Sequence, residues 1–431
     1  MCSSVGMKYH IVTYGCSLNQ SDSEFMRGVL EERGHRESGG EEADVVIVNS
    51  CTVKEQAENK LFRSLQRFKD KKIVVAGCVP QAEKGYQFDR LKGVSLLGTN
   101  QLARIGEVAE KTVKGERVVL LAKKREQRLL QPKVRRNPLV EILPIHEGCL
   151  GVCSYCKTKQ ARGSLVSYPV RDIKLQLRSA VREGVKEVWL TSQDTGCYGL
   201  DSGSSFPELM DALLEEEGDF RIRIGMCNPD WVYMYKEELK EIFKDKRVFR
   251  FLHIPFQSGS DRVLRVMERN YSVEDFLYVC KELRAVFPDL TIATDVIVGF
   301  PSESDGEFEE TVAVLGECAP DVVNVSRFWA RPGTKAAGMK QVPTQVIKER
   351  GQRMTRVAHE VMKERNGFWL GWRGEVLVDE VGREGVSGDG GGSTGRNYAY
   401  KPVIVSGRLG EVVGVEVVDV SLFDLRVGTT E

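Results

Sequence analysis

Cys149-Leu150-Gly151-Val152-Cys153-Ser154-Tyr155-Cys156 spaces three thiols as C-x3-C-x2-C. It follows directly on residues 141–145, whose apolar character is that of a buried strand. Three thiolates on one loop can hold three irons of a 4Fe-4S cluster, which takes four ligands, and so leave one iron open. A structural zinc site asks for four protein ligands, and His146 is a poorly placed fourth. Beyond this loop, strand-like stretches recur at 187–191, 221–226, 250–254, 291–298 and 322–328. Amphipathic stretches at 172–183, 207–217, 273–286 and 305–318 fit helices between them. Six strand and helix pairs predict a parallel β/α barrel or partial barrel with its active site at the carboxyl-terminal rim.

Toward the amino terminus the first 100 residues alternate in the same way: apolar runs at 10–14, 44–49 and 73–77, helix-like stretches at 21–33 and 55–68. This predicts a doubly wound parallel sheet, whose functional groups gather at the carboxyl ends of its strands. A cysteine stands at three of those ends: Cys16, Cys51 and Cys78. Singly, each reads as a buried thiol acting as a small apolar residue. Together, on one edge, they favour a second 4Fe-4S cluster. Cys2, Cys197, Cys227, Cys280 and Cys318 have no partner spacing, although Cys197 lies near the barrel rim.

The 431 residues suit about three domains. Apolar residues make up 41% and charged residues 29%, which excludes a disordered or collagen-like chain. No apolar run reaches about 18 residues and residues 1–10 lack a secretory layout, so a cytoplasmic protein without membrane attachment is expected. In that compartment eleven cysteines point to metal or redox chemistry rather than disulfides. Lys plus Arg equals Asp plus Glu at 62 each, so no global charge pulls the chain toward nucleic acid. Locally, ten basic residues against two acidic lie in 111–136, and nine against three in 331–365. Either a solvated face or a polyanion partner accounts for such runs. The stretch 116–138 reads as a basic linker and 344–365 as one long basic helix. After 367 come short Val-rich runs at 375–378, 398–405 and 412–420, with seven glycines between 382 and 395. A small all-β barrel fits.

The cluster loop on the first barrel strand resembles the radical S-adenosylmethionine superfamily, in which the open iron binds the methionine amino and carboxylate groups. With Cys16, Cys51 and Cys78 ahead of the barrel and a β module behind it, the whole chain resembles the methylthiotransferases. The resemblance implies an auxiliary-cluster domain at 7–115, the linker at 116–138, a radical S-adenosylmethionine barrel at 139–366 and a TRAM-like RNA-binding module at 367–431. It implies two 4Fe-4S clusters and two uses of S-adenosylmethionine. One molecule gives a methyl to sulfur at the Cys16, Cys51 and Cys78 cluster. A second is cleaved at the catalytic Cys149, Cys153 and Cys156 cluster to a 5'-deoxyadenosyl radical, which removes hydrogen from adenine C2, where sulfur then attaches.

Further cofactor contacts follow from the same resemblance. Tyr155 lies in the loop itself. Gln193 and Asp194 stand where the superfamily often has a Gly-Gly-Glu segment, or else form a turn. Gln257, Ser258 and Gly259, in the segment from His253 to Ser260, would lie near ribose and carboxylate, with Ser260 equally a helix cap. Asp295 and Val298, in Asp-Val-Ile-Val-Gly-Phe-Pro, would line adenine, or are ordinary strand. His253 reads as a barrel histidine before a base. Arg331 matches the arginine of the family segment Phe-x-Tyr-Ser-x-Arg-x-Gly-Thr, although Trp329 and Ala330 depart from it; a salt bridge is the alternative.

Cys156-Lys157-Thr158-Lys159-Gln160-Ala161-Arg162-Gly163 resembles the archaeal and eukaryotic branch acting on N6-threonylcarbamoyladenosine in tRNA. Tyr14-Gly15-Cys16-Ser17-Leu18-Asn19 and Asn49-Ser50-Cys51-Thr52-Val53-Lys54 point the same way. Lys157, Lys159 and Arg162 would meet the substrate carboxylate and the anticodon stem-loop phosphates at the rim, or simply solvate the loop. The β module is net acidic, with six basic against ten acidic residues, where an RNA-gripping barrel should be basic. A local patch of Arg373, Arg396, Lys401 and Arg408 remains open to RNA, and Tyr398 and Tyr400 either stack a base or pack a core. An electron donor and a sulfur donor are implied partners. The alternatives are the same chemistry on another tRNA adenosine or a ribosomal-protein aspartate, and a non-catalytic iron-sulfur RNA-binding or redox module.

Overall fold

The computed structural model describes residues 6–53, 55–82, 89–123, 127–382 and 392–428. Cys2 and most of the glycine-rich stretch lie outside them. The chain divides into two compact units. One holds residues up to Pro138 with Ile142–Leu150 and Cys156–Gln176; the other holds Leu139–Glu141, Gly151–Tyr155 and Leu177 onward.

The first unit runs β1 (Lys8–Thr13), α1 (Ser17–Glu32), β2 (Arg36–Glu37), β3 (Val45–Ser50), α2 (Glu55–Arg67), β4 (Lys72–Gly77), α3 (Cys78–Ala82), β5 (Ser95–Gly98), α4 (Ile105–Val113) and β6 (Val119–Leu120). Its sheet has the order β2-β1-β3-β4-β5-β6, and every pair is parallel. All six residues of β3 are buried, as a parallel strand covered on both faces requires. Val45 and Ile47 join Ile11, Phe25 and Val74 in one apolar layer, while Val46 and Val48 join Leu61, Val75 and Leu96 in the other. This is the period-2 alternation of a strand.

The stretch expected to be a linker is not one throughout. Val119 and Leu120 pair with β5 as the last strand of the sheet, and Leu129 is 2% exposed. Next in the chain are β7 (Val140–Pro144), at which the two units divide, then β8 (His146–Glu147), α5 (Thr158–Arg162) and β9 (Val166–Ser167). β8 and β9 form an antiparallel pair.

The second unit continues with α6 (Val170–Arg182), β10 (Glu187–Thr191), α7 (Phe206–Leu214), β11 (Arg221–Arg223), α8 (Pro229–Met234), α9 (Lys236–Ile242) and β12 (Phe251–His253). α10 (Asp261–Val266), α11 (Val273–Val286), β13 (Thr291–Val298), α12 (Asp305–Cys318), β14 (Val322–Arg327) and α13 (Thr344–Gly367) follow. The strands form two three-stranded sheets, β11-β10-β7 and β12-β13-β14. Parallel bridges Ile222 to Val248 and Met226 to His253 carry the pairing between them, giving a six-stranded partial barrel. Ser205, Ser272 and Ser304 begin α7, α11 and α12 with reciprocal capping boxes, each contributing about 1 kcal/mol.

The chain ends in a closed barrel of β15 (Arg373–Glu380), β16 (Ser393–Arg396), β17 (Pro402–Val405), β18 (Val412–Val420) and β19 (Leu425–Val427). Trp369, Val376, Val403, Val417 and Leu425 fill it. The strand expected at 398–405 is shorter, because the backbone turns at Asn397 to Tyr400 and Tyr400 takes φ +60°. Among the described residues no helix is long and apolar enough to cross a membrane.

Candidate metal centres

Strands β1, β3 and β4 are neighbours in register, with Thr13 opposite Asn49, Asn49 opposite Ala76 and Ser50 opposite Gly77. Their carboxyl ends therefore lie on one edge, and the next residues in the chain include Cys16, Cys51 and Cys78. Cys16 is exposed; Cys51 and Cys78 are buried. Asn19, one turn into α1, ties them together. Its Oδ1 accepts from Cys16 Sγ at 3.6 Å and from Cys78 Sγ at 3.8 Å, while its Nδ2 donates to the Ser50 carbonyl at 2.8 Å. The Val53 N–H donates to Cys51 Sγ at 3.4 Å. Gly15, at φ +121°, has no room for a side chain: a Cβ there would sit 2.5 Å from Cys51 Cβ and 2.8 Å from its Sγ.

Burial and then the neighbouring sulfurs of Cys16 and Cys78 push the Cys51 thiol up. Burial pushes Cys78 up, against the opposing pull of Arg162. Clustered thiols become thiolates when a soft cation sits among them, and this donor set fits an iron-sulfur cluster.

Arg162, expected at a solvent-facing rim, is instead buried. Its Nη2 donates to Asp22 Oδ2 at 2.5 Å and to Asn19 Oδ1 at 3.3 Å, and its Nη1 to Glu147 Oε2 at 3.4 Å. Arg128, from the supposed linker, pairs with the same Asp22 and with Glu147 Oε1 at 2.7 Å. Lys157 is also buried, at 4% exposure. Lys159 is half-buried and donates to the Cys149 carbonyl. A rim of three solvated cations is thus corrected to one half-buried lysine and two buried cations, because α5 packs its small residue Ala161 against Cys78 and Ala82.

Cys149, Cys153 and Cys156 are all half-buried on the loop between β8 and α5. In the first unit the Cys149 N–H reaches the Gly163 carbonyl at 3.4 Å. In the second unit Ser154 is pinned by its N–H to Met267 O (3.0 Å) and by Oγ to Val266 O (2.8 Å). Arg269 Nη1 donates to Cys153 Sγ at 3.2 Å. Its Nη2 reaches Asn228 Oδ1 at 2.5 Å and its Nε the Tyr271 hydroxyl at 3.3 Å. Tyr271 in turn donates to the carbonyls of Pro255 and Phe256. Tyr155 packs edge-on to Phe300, ring centroids 6.1 Å apart. Three thiols on one loop with a half-buried guanidinium on one sulfur fit a 4Fe-4S cluster with an open iron.

The expected cofactor contacts lie at the carboxyl ends of the barrel strands. Asp194, just beyond β10, accepts from the Asn228 N–H at 3.1 Å, Asn228 Nδ2 at 2.6 Å and Trp231 Nε1 at 2.9 Å. Burial outweighs these bonds and pushes its carboxyl up to about 6. Gln193 and Gln257 each carry a buried amide oxygen with no hydrogen-bond partner among the described residues. Gln257 also stands at φ +64°. Such orphaned acceptors fit an ammonium or hydroxyl donor of a bound cofactor. Ser258 is 1% exposed, and the Gly259 N–H donates to Thr311 Oγ1 at 2.9 Å. His253 Nε2 lies 2.9 Å from Asp295 Oδ2, Val298 is fully buried, and Arg331 is buried with its guanidinium over Trp329.

Reading from sequence missed Asn19 as the link between sulfurs, although it stands at i+3 from Cys16 where a helix returns to the same face. Asp22, Arg128 and Arg269 carried no local signal, since their partners are distant in the chain.

Residues 8–98 match the uncharacterized protein family UPF0004, and residues 143–315 match the radical SAM superfamily. The fold is shared with the radical S-adenosylmethionine methyltransferase TsrM from Kitasatospora setae, at TM-score 0.56 and 13% identity over 77% of this chain and 75% of that one. The chain is an enzyme of the radical S-adenosylmethionine class, which implies a 4Fe-4S cluster and S-adenosylmethionine. It is 43% identical to the human threonylcarbamoyladenosine tRNA methylthiotransferase, over 95% of this chain and 72% of the relative. To the probable threonylcarbamoyladenosine tRNA methylthiotransferase of Pyrococcus abyssi it is 40% identical, over 88% and 90%. The chain belongs to the threonylcarbamoyladenosine tRNA methylthiotransferase family.

Proposed function

We propose that this enzyme installs a methylthio group at C2 of N6-threonylcarbamoyladenosine 37 in tRNA, with a second 4Fe-4S cluster on Cys16, Cys51 and Cys78. The observation that carries the reading is the convergence of those three thiols on one sheet edge, in a chain that also bears the Cys149, Cys153 and Cys156 loop. When bound, the loop's cluster supplies reductive cleavage of S-adenosylmethionine to a carbon radical, and the amino-terminal cluster supplies the sulfur to be methylated and inserted.

The chain's own residues bind, orient and exclude water. Cys149, Cys153 and Cys156 hold the radical-generating cluster, with Arg269 fixing Cys153. Gln193, Asp194 and Gln257 accept from the cofactor's ammonium and hydroxyls. Ser258, Gly259, Asp295, Val298 and Tyr155 shape the rest of its pocket. Lys159 and Arg331 are assigned to the substrate side. α13 exposes Lys348, Arg353, Arg356 and Lys363 to solvent, which suits the phosphates of the anticodon stem-loop. We read 7–115 as the auxiliary-cluster domain, 116–138 as its connection, 139–366 as the radical barrel and 367–431 as the TRAM-like module. The reaction further requires an electron donor and a sulfur donor, in the cytoplasm.

The test is anaerobic reconstitution with iron and sulfide analysis of the wild type and of the C149A/C153A/C156A variant. About eight irons falling to about four is expected for two clusters of four. Nucleoside analysis of tRNA should then show the 2-methylthio product, with 5'-deoxyadenosine released. About four irons falling to none, or product on another adenosine or on a ribosomal peptide, would overturn the assignment.

A further inference from the structure

The surroundings of Arg162 give it a task other than meeting substrate. Its side chain and that of Asp22 are each 1% exposed. One arm of the guanidinium is held by Asp22, the other by Glu147. Its Nη2 also reaches Asn19 Oδ1 at 3.3 Å, an oxygen that lies 3.8 Å from Cys78 Sγ. Arg128 bonds the same two carboxylates from the far side, so two cations and two anions form a neutral buried set. Such a set costs more desolvation than apolar residues of equal volume. What it secures is a guanidinium held at Asn19 Oδ1, the oxygen that the Cys16 and Cys78 sulfurs share.

Asn19 marks the state in which this matters. As thiols, Cys16 and Cys78 donate to Asn19 Oδ1. As metal-bound thiolates they have no hydrogen to give, and Arg162 Nη2, 3.3 Å away, is then the donor left to that oxygen. A positive charge and hydrogen-bond donors on the buried side of such a centre stabilise the more negative, reduced state of a cluster.

We propose that Arg162, anchored by Asp22 and Glu147, is a positioning residue that holds a positive charge at Asn19, beside the Cys16 and Cys78 sulfurs, and raises the reduction potential of a cluster bound by Cys16, Cys51 and Cys78. The inference rests on the reading of that triad as a cluster site.

The experiment uses the full chain carrying C149A/C153A/C156A, so that one cluster is present, titrated with dithionite and followed by EPR. Arg162→Gln should lower the reduced-to-oxidised ratio at fixed potential about tenfold, equivalent to about 59 mV for one electron. Asp22→Asn removes a negative charge but keeps an amide oxygen to accept from the guanidinium, which Glu147 also holds, so it should shift the ratio in the opposite direction. Arg162→Lys, charged but without the fork, should fall between Arg162→Gln and the parent. A merely structural role would produce no opposed pair of shifts. Ratios that stay within about twofold of the parent, or that move the same way in Arg162→Gln and Asp22→Asn, would overturn the inference with the cluster reading intact. If Arg162→Gln fails to hold iron, Arg162→Lys and Asp22→Asn decide. A parent variant that binds no iron overturns the triad reading, and this inference with it.

Discussion

Arg269 donates to Cys153 Sγ at 3.2 Å from 116 residues further along the chain, and Asn228 Oδ1 holds its other amino group at 2.5 Å. Removing this half-buried donor leaves Asn228 and Tyr271 short of a partner. Arg269→Gln is expected to lower stability by about 2 to 3 kcal/mol. The urea midpoint at unchanged slope measures it, and a loss below about 0.5 kcal/mol would contradict the arrangement.

Gly15 should be irreplaceable at the amino-terminal centre. A Cβ would meet Cys51 Cβ at 2.5 Å, and φ +121° is strained for any side chain. Gly15→Ala is expected to cut iron bound in the C149A/C153A/C156A background by more than half, with the circular dichroism of the fold retained.

Glu307 ties the start of α12 to Arg262, which with Ser304 holds its carboxyl down at about 2. Arg262 Nε lies 2.5 Å from Glu307 Oε1. A depressed carboxyl stabilises the fold above its unfolded value and loses that contribution as pH falls through the folded one. Glu307→Gln should therefore be less stable than the wild type by about 2 kcal/mol above pH 5, and the difference should close as pH falls toward 2. Urea unfolding across that range tests the sign.

Tyr400 belongs to the terminal module yet packs on residues of the partial barrel, 4.9 Å from the Phe249 ring and 5.3 Å from that of Phe251, with Arg223 over its face. Tyr400→Ala is expected to cost about 3 to 5 kcal/mol and to lower the thermal midpoint of the whole second unit. An unchanged midpoint would mean the two barrels melt independently.

The strands and helices that position both centres were legible because their patterns are local. The helices at 273–286 and 305–318 and the strand at 291–298 fall where periodicity put them. Cys16, Cys51 and Cys78 could be placed on one edge because a parallel sheet sends the carboxyl ends of its strands the same way. Arg162 and Lys157 were expected at the rim and the stretch holding Arg128 as a linker, because the burial of a cation such as Arg162 or Arg128 depends on distant carboxylates such as Asp22 that no window of sequence contains. Tyr400 was ambiguous for a related reason: its left-handed backbone is set by Asn397, whose Oδ1 accepts from the N–H groups of Ala399 and Lys401.

The three amino-terminal thiols are unequal: Cys16 faces solvent while Cys51 and Cys78 are each 2% exposed. Reagents arriving from water meet this centre at a single corner. Alkylating agents should label Cys16 ahead of its partners, and chelators or oxygen should dismantle an assembled centre from that ligand inward. If the triad holds a cluster, that corner is both where it is lost first and where it can be rebuilt.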